Sequence, residues 1–260
     1  MEEFFRTGWK RFPFDAAVAA WVESTLPAAR AVVADPANAH WLRCGGTWFV
    51  GVNALPNDSQ GAVAGGVPLA GAAVDFIHNV LSLGSTFEQA QVSVCYPGYP
   101  RRGAEESEAA FRFRLTRDAA HVDGLRAEGT DRQRHLREHH GFLLGLPLTA
   151  SSEGAAPLVV WEGSHEIMRA ALREAFGSVP PGQWGEIDVT AAYQAARRRI
   201  FETCPRVVVA AKPGEAYLVH RLALHGVAPW AEEAGAPPDG RMIAYFRPET
   251  GTARDWLEAR

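Results

Sequence analysis

Short apolar runs separated by turn residues dominate the chain after residue 90. Runs of four to eight such residues are typical of β-strands. They predict strands at 90–96, 109–115, 141–148, 157–161, 206–211, 215–220 and 241–246. Helical spacing predicts two insertions, at 164–176 with Ser164 as N-cap and at 190–202. Many short strands at regular spacing favour a mainly β fold of jelly-roll type with flanking helices.

The first 89 residues mix helical and strand patterns. Residues 15–30 predict a helix that begins at Asp15 and is interrupted near Pro27, and residues 73–81 predict another. A run of β-branched and aromatic residues at 46–52 predicts a strand. Because no Pro/Gly/Ser-rich linker divides the chain, we predict a single domain over 1–260. Residues 1–89 would elaborate a jelly-roll core at 90–248.

Composition narrows the classes of function. With 47% apolar and 22% charged residues, the chain has the profile of an ordinary globular protein. A formal net charge of -4 argues against a nucleic-acid partner. No apolar run approaches the length of a membrane span, so we expect no membrane partner. Three widely spaced cysteines (Cys44, Cys95 and Cys204) suggest no disulfide framework and predict a cytoplasmic location.

The segment "HVDG" at 121–124 is the first candidate for chemistry. In an extended segment, residues two apart point to the same face. His121 and Asp123 could therefore converge on one metal ion at about 2.0–2.2 Å. Composition alone produces roughly 0.35 such pairs in a chain of this kind, so the pair needs support from elsewhere.

A competing motif is "HLREH" at 135–139, which matches the H-x-x-E-H pattern of inverted zinc peptidases. There His135 and His139 would bind zinc and Glu138 would act as base. Leu136 is the only apolar residue in this neighbourhood. A catalytic zinc helix needs a packed setting, so a solvated helix or loop is the favoured interpretation, and a metallopeptidase remains the third candidate function.

Support for the His-x-Asp pair comes from the C-terminal third. Residues 212–226 contain a Pro-Gly turn, a predicted strand and two histidines, His220 and His225, and Arg241 opens the last predicted strand. Two imidazoles and one carboxylate on one face of a metal leave three positions open, as in the facial triad of non-haem Fe(II) oxygenases. His220 and His225 are five apart, so on one continuous strand they would face opposite sides.

Four segments carry a family resemblance: "HVDG" at 121–124, "WEGSHEIM" at 161–168, "PGEAYLVHRLALHG" at 213–226 and "GRMIAYF" at 240–246. Together they resemble the phytanoyl-CoA dioxygenase family of Fe(II)/2-oxoglutarate-dependent oxygenases. The resemblance implies a double-stranded β-helix (cupin-like jelly roll) with iron ligands His121, Asp123 and His225. It also implies that Arg241 binds the distal carboxylate of 2-oxoglutarate. The link from His225 to Arg241 is longer than is usual in the family.

The implied activity is hydroxylation of a small organic substrate, with molecular oxygen and 2-oxoglutarate consumed and succinate and CO2 released. The resemblance makes His225, before Gly226, the ligand, with His220 a packed residue and His165 a structural one. The alternative is a cupin-like metal-binding or structural module. Arg241 distinguishes the oxygenase from this alternative, because such a module needs no buried guanidinium. Four other residues that could line a pocket are interpreted as core or surface: Trp161, Phe142, Arg126 and Arg247.

Overall fold

The computed structural model describes residues 2–84, 86–249 and 251–259. The described α-helices are α1 (Glu2–Thr7), α2 (Ala16–Ala34), α3 (Ala72–Asn79), α4 (Glu108–Arg117), α5 (Ser164–Phe176), α6 (Thr190–Thr203) and α7 (Ala253–Glu258). Two 3-10 helices cover Pro36–Trp41 and Pro181–Glu186. None of these helices combines the length and apolar character that crossing a membrane requires.

Twelve strands are described, and most fall where the apolar runs predict them. They are β1 (Trp9–Phe12), β2 (Leu42–Arg43), β3 (Trp48–Gly51), β4 (Gln91–Cys95), β5 (Leu125–Glu128), β6 (Gln133–Leu136), β7 (Phe142–Pro147), β8 (Leu158–Trp161), β9 (Arg206–Val209), β10 (Ala216–His220), β11 (His225–Val227) and β12 (Arg241–Phe246).

The strands form two facing sheets, with a separate β5–β6 hairpin. The large sheet has the order β1-β10-β7-β12-β4-β3-β2, and the small sheet has the order β11-β8-β9. An antiparallel bridge between His121 and His225 adds one more chain segment beside β11. From β4 onward the chain passes repeatedly between the sheets, with all paired strands antiparallel. This order confirms the predicted double-stranded β-helix with flanking helices.

Alternation along β12 shows how the sheets are filled. Met242, Ala244 and Phe246 pack into the apolar layer that α2 and α3 cover. Ile243 and Tyr245 point the other way, into the space between the two sheets, where they meet residues of β7, β8 and β10. Helices α5, α6 and α7 pack beyond the small sheet. The side of β12 that faces the small sheet is therefore the side on which functional groups can meet.

The prediction of a strand at 109–115 is wrong, because these residues belong to α4. Ser107 caps the helix, its side-chain oxygen accepting a hydrogen bond from the Ala110 N–H at 3.2 Å. No residue of α4 is buried. The Phe–Arg alternation that suggests a half-buried strand thus has no sheet to pack against.

Two smaller helix predictions also need correction. Helix α2 continues through Pro27 instead of being interrupted, and Trp21, Val22 and Ala29 are buried on both sides of that position. Packing therefore outweighs the hydrogen bond that proline cannot donate. Gly163, not Ser164, occupies the N-cap position of α5. The Ser164 hydroxyl instead accepts a hydrogen bond from the Leu224 N–H at 2.8 Å, which fixes the chain just before His225.

Candidate metal centre and its pocket

His121, Asp123 and His225 meet between the two sheets. Backbone hydrogen bonds pair His121 with His225, at 2.8 Å from His121 N to His225 O and 3.0 Å in the other direction. This pairing places the imidazole centroids 4.7 Å apart. The Asp123 carboxylate lies 3.3 Å from His121 Nε2 and 3.9 Å from His225 Nε2. One potential ligand atom from each residue lies within 4.8 Å of the others, as a shared metal ion requires.

Both imidazoles are oriented by backbone carbonyls. His121 Nδ1 lies 3.0 Å from the Ala119 carbonyl oxygen, and His225 Nδ1 lies 2.9 Å from that of Ala223. If Nδ1 carries the proton and donates to the carbonyl, Nε2 is left with its lone pair facing Asp123. Such an outer hydrogen bond is the usual means of fixing the tautomer of a metal-binding histidine.

The protonation states also suit a metal. Burial lowers the pKa of His225 to about 4, so its imidazole is neutral near pH 7. Burial alone would raise the pKa of Asp123. The charge of Arg247 and the nearby imidazoles of His121 and His225 outweigh it and hold that pKa well below its usual value. His225 thus offers a neutral nitrogen and Asp123 an ionised carboxylate, the forms in which these groups bind metals.

Gly226 allows the two ligand-bearing segments to lie against each other. A Cβ at this position would come 2.2 Å from the Asp118 carbonyl oxygen and 3.2 Å from Ala120 Cα. Any side chain here would push β11 away from the segment that carries His121 and Asp123. The glycine after His225 is therefore required by close backbone packing within the centre itself.

The centre forms one wall of a cavity of about 190 Å³ between the sheets. The other walls are mostly apolar and aromatic, and they include Trp48, Val50, Tyr99, Leu143, Leu158 and Tyr245. The His121 side chain is 45% exposed whereas that of His225 is 6% exposed, so the centre meets solvent on the His121 side. Trp48 and Val50 come from the first 89 residues, where β3 pairs with β4.

Arg241 lies deeper, between the sheets. It opens β12 opposite Cys95 of β4, and its guanidinium interacts with the phenol groups of Tyr245 and Tyr217. Arg241 does not border the 190 Å³ cavity directly, whereas Tyr245 borders that cavity and contacts the arginine. Arg241 is 3% exposed, and its Nη1 has no hydrogen-bond partner among the described residues. A buried donor without a partner is costly, so this geometry suits an anionic ligand.

The interpretation of four residues as core or surface is correct for three of them. Trp161 and Phe142 are buried in apolar clusters, and Arg126 forms an exposed ion pair with Glu138. It is wrong for Arg247, which lines the cavity and lies 3.4 Å from Asp123 through Nη1. Positions 241, 243, 245 and 247 share one parity, so continuing the alternation of β12 would have placed Arg247 on the cavity side.

The two histidines of "HRLALHG" belong to different sheets. His220 ends β10 in the large sheet, and His225 begins β11 in the small sheet, so the assumption of one continuous strand is wrong. His220 Nδ1 accepts a hydrogen bond from the Leu222 N–H at 3.0 Å, and its Nε2 lies 3.0 Å from Arg169. The His165 ring lies beside it at a tilt of 40°, with ring centroids 4.7 Å apart. Both histidines are buried away from the centre.

We expect these two buried histidines to make stability depend on pH. Burial lowers the pKa of both, and Arg221 and Arg169 further disfavour charge on His220. The unfolded chain takes up protons below about pH 6.5 and the native chain does not, so stability is full above that pH and is lost as pH falls. His220, whose pKa lies well below its usual value, contributes about 1.4 kcal/mol of loss between about pH 7.5 and 5.5, and His165 adds to the loss in the same direction. Urea unfolding of His220→Gln should show a correspondingly smaller loss than wild type; an unchanged pH dependence would contradict this.

"HLREH" does not form a zinc-binding helix. His135 lies on β6, opposite Arg126 of β5, and His139 lies in the loop that follows. Two histidines one helical turn apart are what the peptidase motif requires, and that spacing is absent from this extended segment. Among the described residues, the group of His, Cys, Asp and Glu that could hold a metal is His121, Asp123 and His225.

Fold and site together define a double-stranded β-helix whose two sheets enclose a cluster of two histidines and one carboxylate. No protein-family model matches the chain, and no curated protein matches it by sequence. Solved structures do match. The non-heme alpha ketoglutarate dependent carbocyclase SnoK from nogalamycin biosynthesis is 10% identical, over 96% of this chain and 84% of that one, with a TM-score of 0.48.

EctD from S. alaskensis with 2-oxoglutarate and 5-hydroxyectoine is 16% identical, over 94% of this chain and 73% of that one, with a TM-score of 0.47. The epimerase SnoN in complex with Fe3+, alpha ketoglutarate and nogalamycin RO is 13% identical, over 95% and 81%, with a TM-score of 0.49. These matches bind or depend on 2-oxoglutarate, as does the class that the sequence resembles. Similarity at this level carries no reaction over to this chain, whose fold follows from its own strand order.

Proposed function

We propose that this protein is an Fe(II)- and 2-oxoglutarate-dependent dioxygenase that hydroxylates a small organic substrate. The observation that carries the proposal is the convergence of His121, Asp123 and His225 at a cavity between the sheets. Two imidazoles and one carboxylate form the donor set of a facial triad, which leaves three metal positions open. Iron with 2-oxoglutarate and molecular oxygen supplies C–H hydroxylation, coupled to release of succinate and CO2.

Each residue has a defined task in this proposal. His121, Asp123 and His225 hold the metal, with Ala119 and Ala223 orienting the two imidazoles through their carbonyls. The Arg241 guanidinium binds the distal carboxylate of 2-oxoglutarate, for which arginine is suited because it is always charged and presents a planar fork of donors. The apolar walls exclude water from the reacting substrate.

Arg241 also favours this proposal over a cupin-like metal-binding or structural module. Such a module would have no use for a fully buried cation. Here the guanidinium is buried with one unpartnered nitrogen, and the groups around it are neutral phenols and a thiol rather than a carboxylate. Leaving a charge buried and unpaired costs several kcal/mol, which a resident dianion would offset.

The proposal is tested by anaerobic titration of the metal-free protein with Fe(II) and then 2-oxoglutarate. We expect one iron and one 2-oxoglutarate per chain by native mass spectrometry. The visible charge-transfer absorption of an iron-chelated 2-oxo acid should develop only when both are present. Iron uptake without that absorption would favour the cupin-like module, and no iron uptake would contradict both.

A further inference from the structure

The Arg247 guanidinium lies on the cavity wall, and no carboxylate among the described residues pairs with it at short distance. Its single hydrogen bond is the long 3.4 Å contact from Nη1 to Asp123 Oδ2, and it is 20% exposed. Nε and Nη2 donate to no protein acceptor among the described residues. A guanidinium has five N–H donors, so most of this fork is directed to the cavity or to solvent.

The other charged groups around the cavity are paired. Asp118 borders it, but both of its oxygens accept hydrogen bonds from Arg206 at 2.8 Å. Arg114, on the outer side of Tyr99, is bound to Glu106 at 3.0 Å. In each of these pairs the two opposite charges cancel. The charge that the cavity offers to a ligand is therefore set by Asp123 and Arg247.

This inference rests on the proposed function, in which the site holds Fe(II) and 2-oxoglutarate and its charges can be counted. Iron contributes two positive charges, of which Asp123 neutralises one. The remaining charge on iron and the charge of Arg241 neutralise the two negative charges of 2-oxoglutarate. Once Asp123 binds iron, its charge is no longer available to Arg247. The loaded cavity then keeps one uncompensated positive charge, located on Arg247 beside the metal.

We propose that the substrate is an apolar monocarboxylate whose carboxylate group binds Arg247. Bidentate pairing of a guanidinium with a carboxylate gives both affinity and a fixed orientation. The remaining lining selects an apolar body, since Trp48, Val50, Leu143 and Leu158 face the same space. A carboxylate held here places the adjoining carbon chain in the cavity next to Asp123, the residue that Arg247 contacts.

A second cavity shares two lining residues with the first. Trp48 and Val50 border a second, more open cavity of about 450 Å³ that Trp41 and Arg43 also line. The Trp48 indole is held at the junction because its Nε1 donates a hydrogen bond to Ser93 Oγ at 3.0 Å. A flat, fixed ring at this position suits a ring or chain that extends outward from the metal.

The test measures binding rather than turnover. Anaerobic protein loaded with Fe(II) and 2-oxoglutarate is titrated with 3-phenylpropanoate, cyclohexanecarboxylate and octanoate, and with the primary amide of each, by calorimetry and tryptophan fluorescence. We expect at least one carboxylate to bind about tenfold or more tightly than its amide. In Arg247→Met that preference should disappear, with iron and 2-oxoglutarate still bound. Arg173→Met, which removes an ion pair with Glu258 outside the cavity, should keep it.

Three results would overturn the inference. Carboxylates and amides could bind wild type equally, or Arg247→Met could keep the preference. Alternatively, Arg247→Met could lose iron or 2-oxoglutarate, which would make Arg247 a partner of Asp123 or of the cosubstrate. All three differ from failure of the proposed function, in which wild-type protein would not bind iron and 2-oxoglutarate before any carboxylate is added.

Discussion

Asp123→Ala should abolish Fe(II) binding, lowering the metal content from one ion per chain to near zero at micromolar iron. Asp123 is the only anionic donor of the cluster, and its two oxygens face both imidazoles at 3.3 and 3.9 Å. Two imidazole nitrogens alone would leave the ion without charge compensation in a buried setting. His225→Ala should have the same effect because His225 has the least exposed side chain of the three. Metal analysis after anaerobic loading and desalting measures both.

The control variants are His135→Ala and His139→Ala, which alter the two histidines of "HLREH". Both should retain one iron per chain, since these residues lie on β6 and in the loop after it, away from the cluster. His220→Ala should also retain iron while losing stability. If the His135 and His139 variants lost metal and the Asp123 variant kept it, the metal centre would have to be moved to the peptidase motif.

Arg241→Met should raise the Kd for 2-oxoglutarate by about 100-fold to a few thousandfold while leaving the iron content unchanged. Removing one partner of a buried charge pair costs about 3–5 kcal/mol, and each 1.4 kcal/mol is tenfold in affinity. Arg241 occupies the space between the sheets with one unpartnered nitrogen, and Met fills a similar length without charge. Titration followed by the charge-transfer absorption gives the Kd.

Pyruvate is the matched control ligand, because it keeps the 2-oxo acid group and lacks the distal carboxylate. It should bind wild type and Arg241→Met equally weakly. That result separates loss of a carboxylate contact from general damage to the fold. Unchanged 2-oxoglutarate affinity in Arg241→Met would remove the arginine from the cosubstrate site.

The cluster was predictable because its parts depend on local periodicity. His121 and Asp123 share a face in any extended segment, and the apolar runs around β7, β10 and β12 mark strands whatever their partners are. The identity of the neighbouring strand is a different matter. The pairing of His121 with His225 depends on the order of strands in the small sheet, which no local pattern records. Only the family resemblance indicated that these two histidines belong to one site.

Other features escaped prediction because tertiary packing decided them. Alternating Phe and Arg at 111–114 has strand periodicity, yet the segment forms an exposed helix capped by Ser107. Trp48 and Val50 line the cavity only because β3 joins the large sheet beside β4, far away in sequence. Arg247 is a different case: it lies one residue beyond β12, and continuing the strand alternation past Phe246 would have placed it on the cavity side.

The bridge between His121 and His225 has a consequence for the folding equilibrium. Two backbone hydrogen bonds hold together segments that are about 100 residues apart in the chain, and closing so long a loop carries a large entropic cost. A metal ion bound by both histidines and Asp123 would act as a cross-link between those segments. Because only the folded chain brings the three donors together, free iron would stabilise the native state by mass action. The edge of the small sheet would then be the part of the fold whose stability depends on the concentration of free iron.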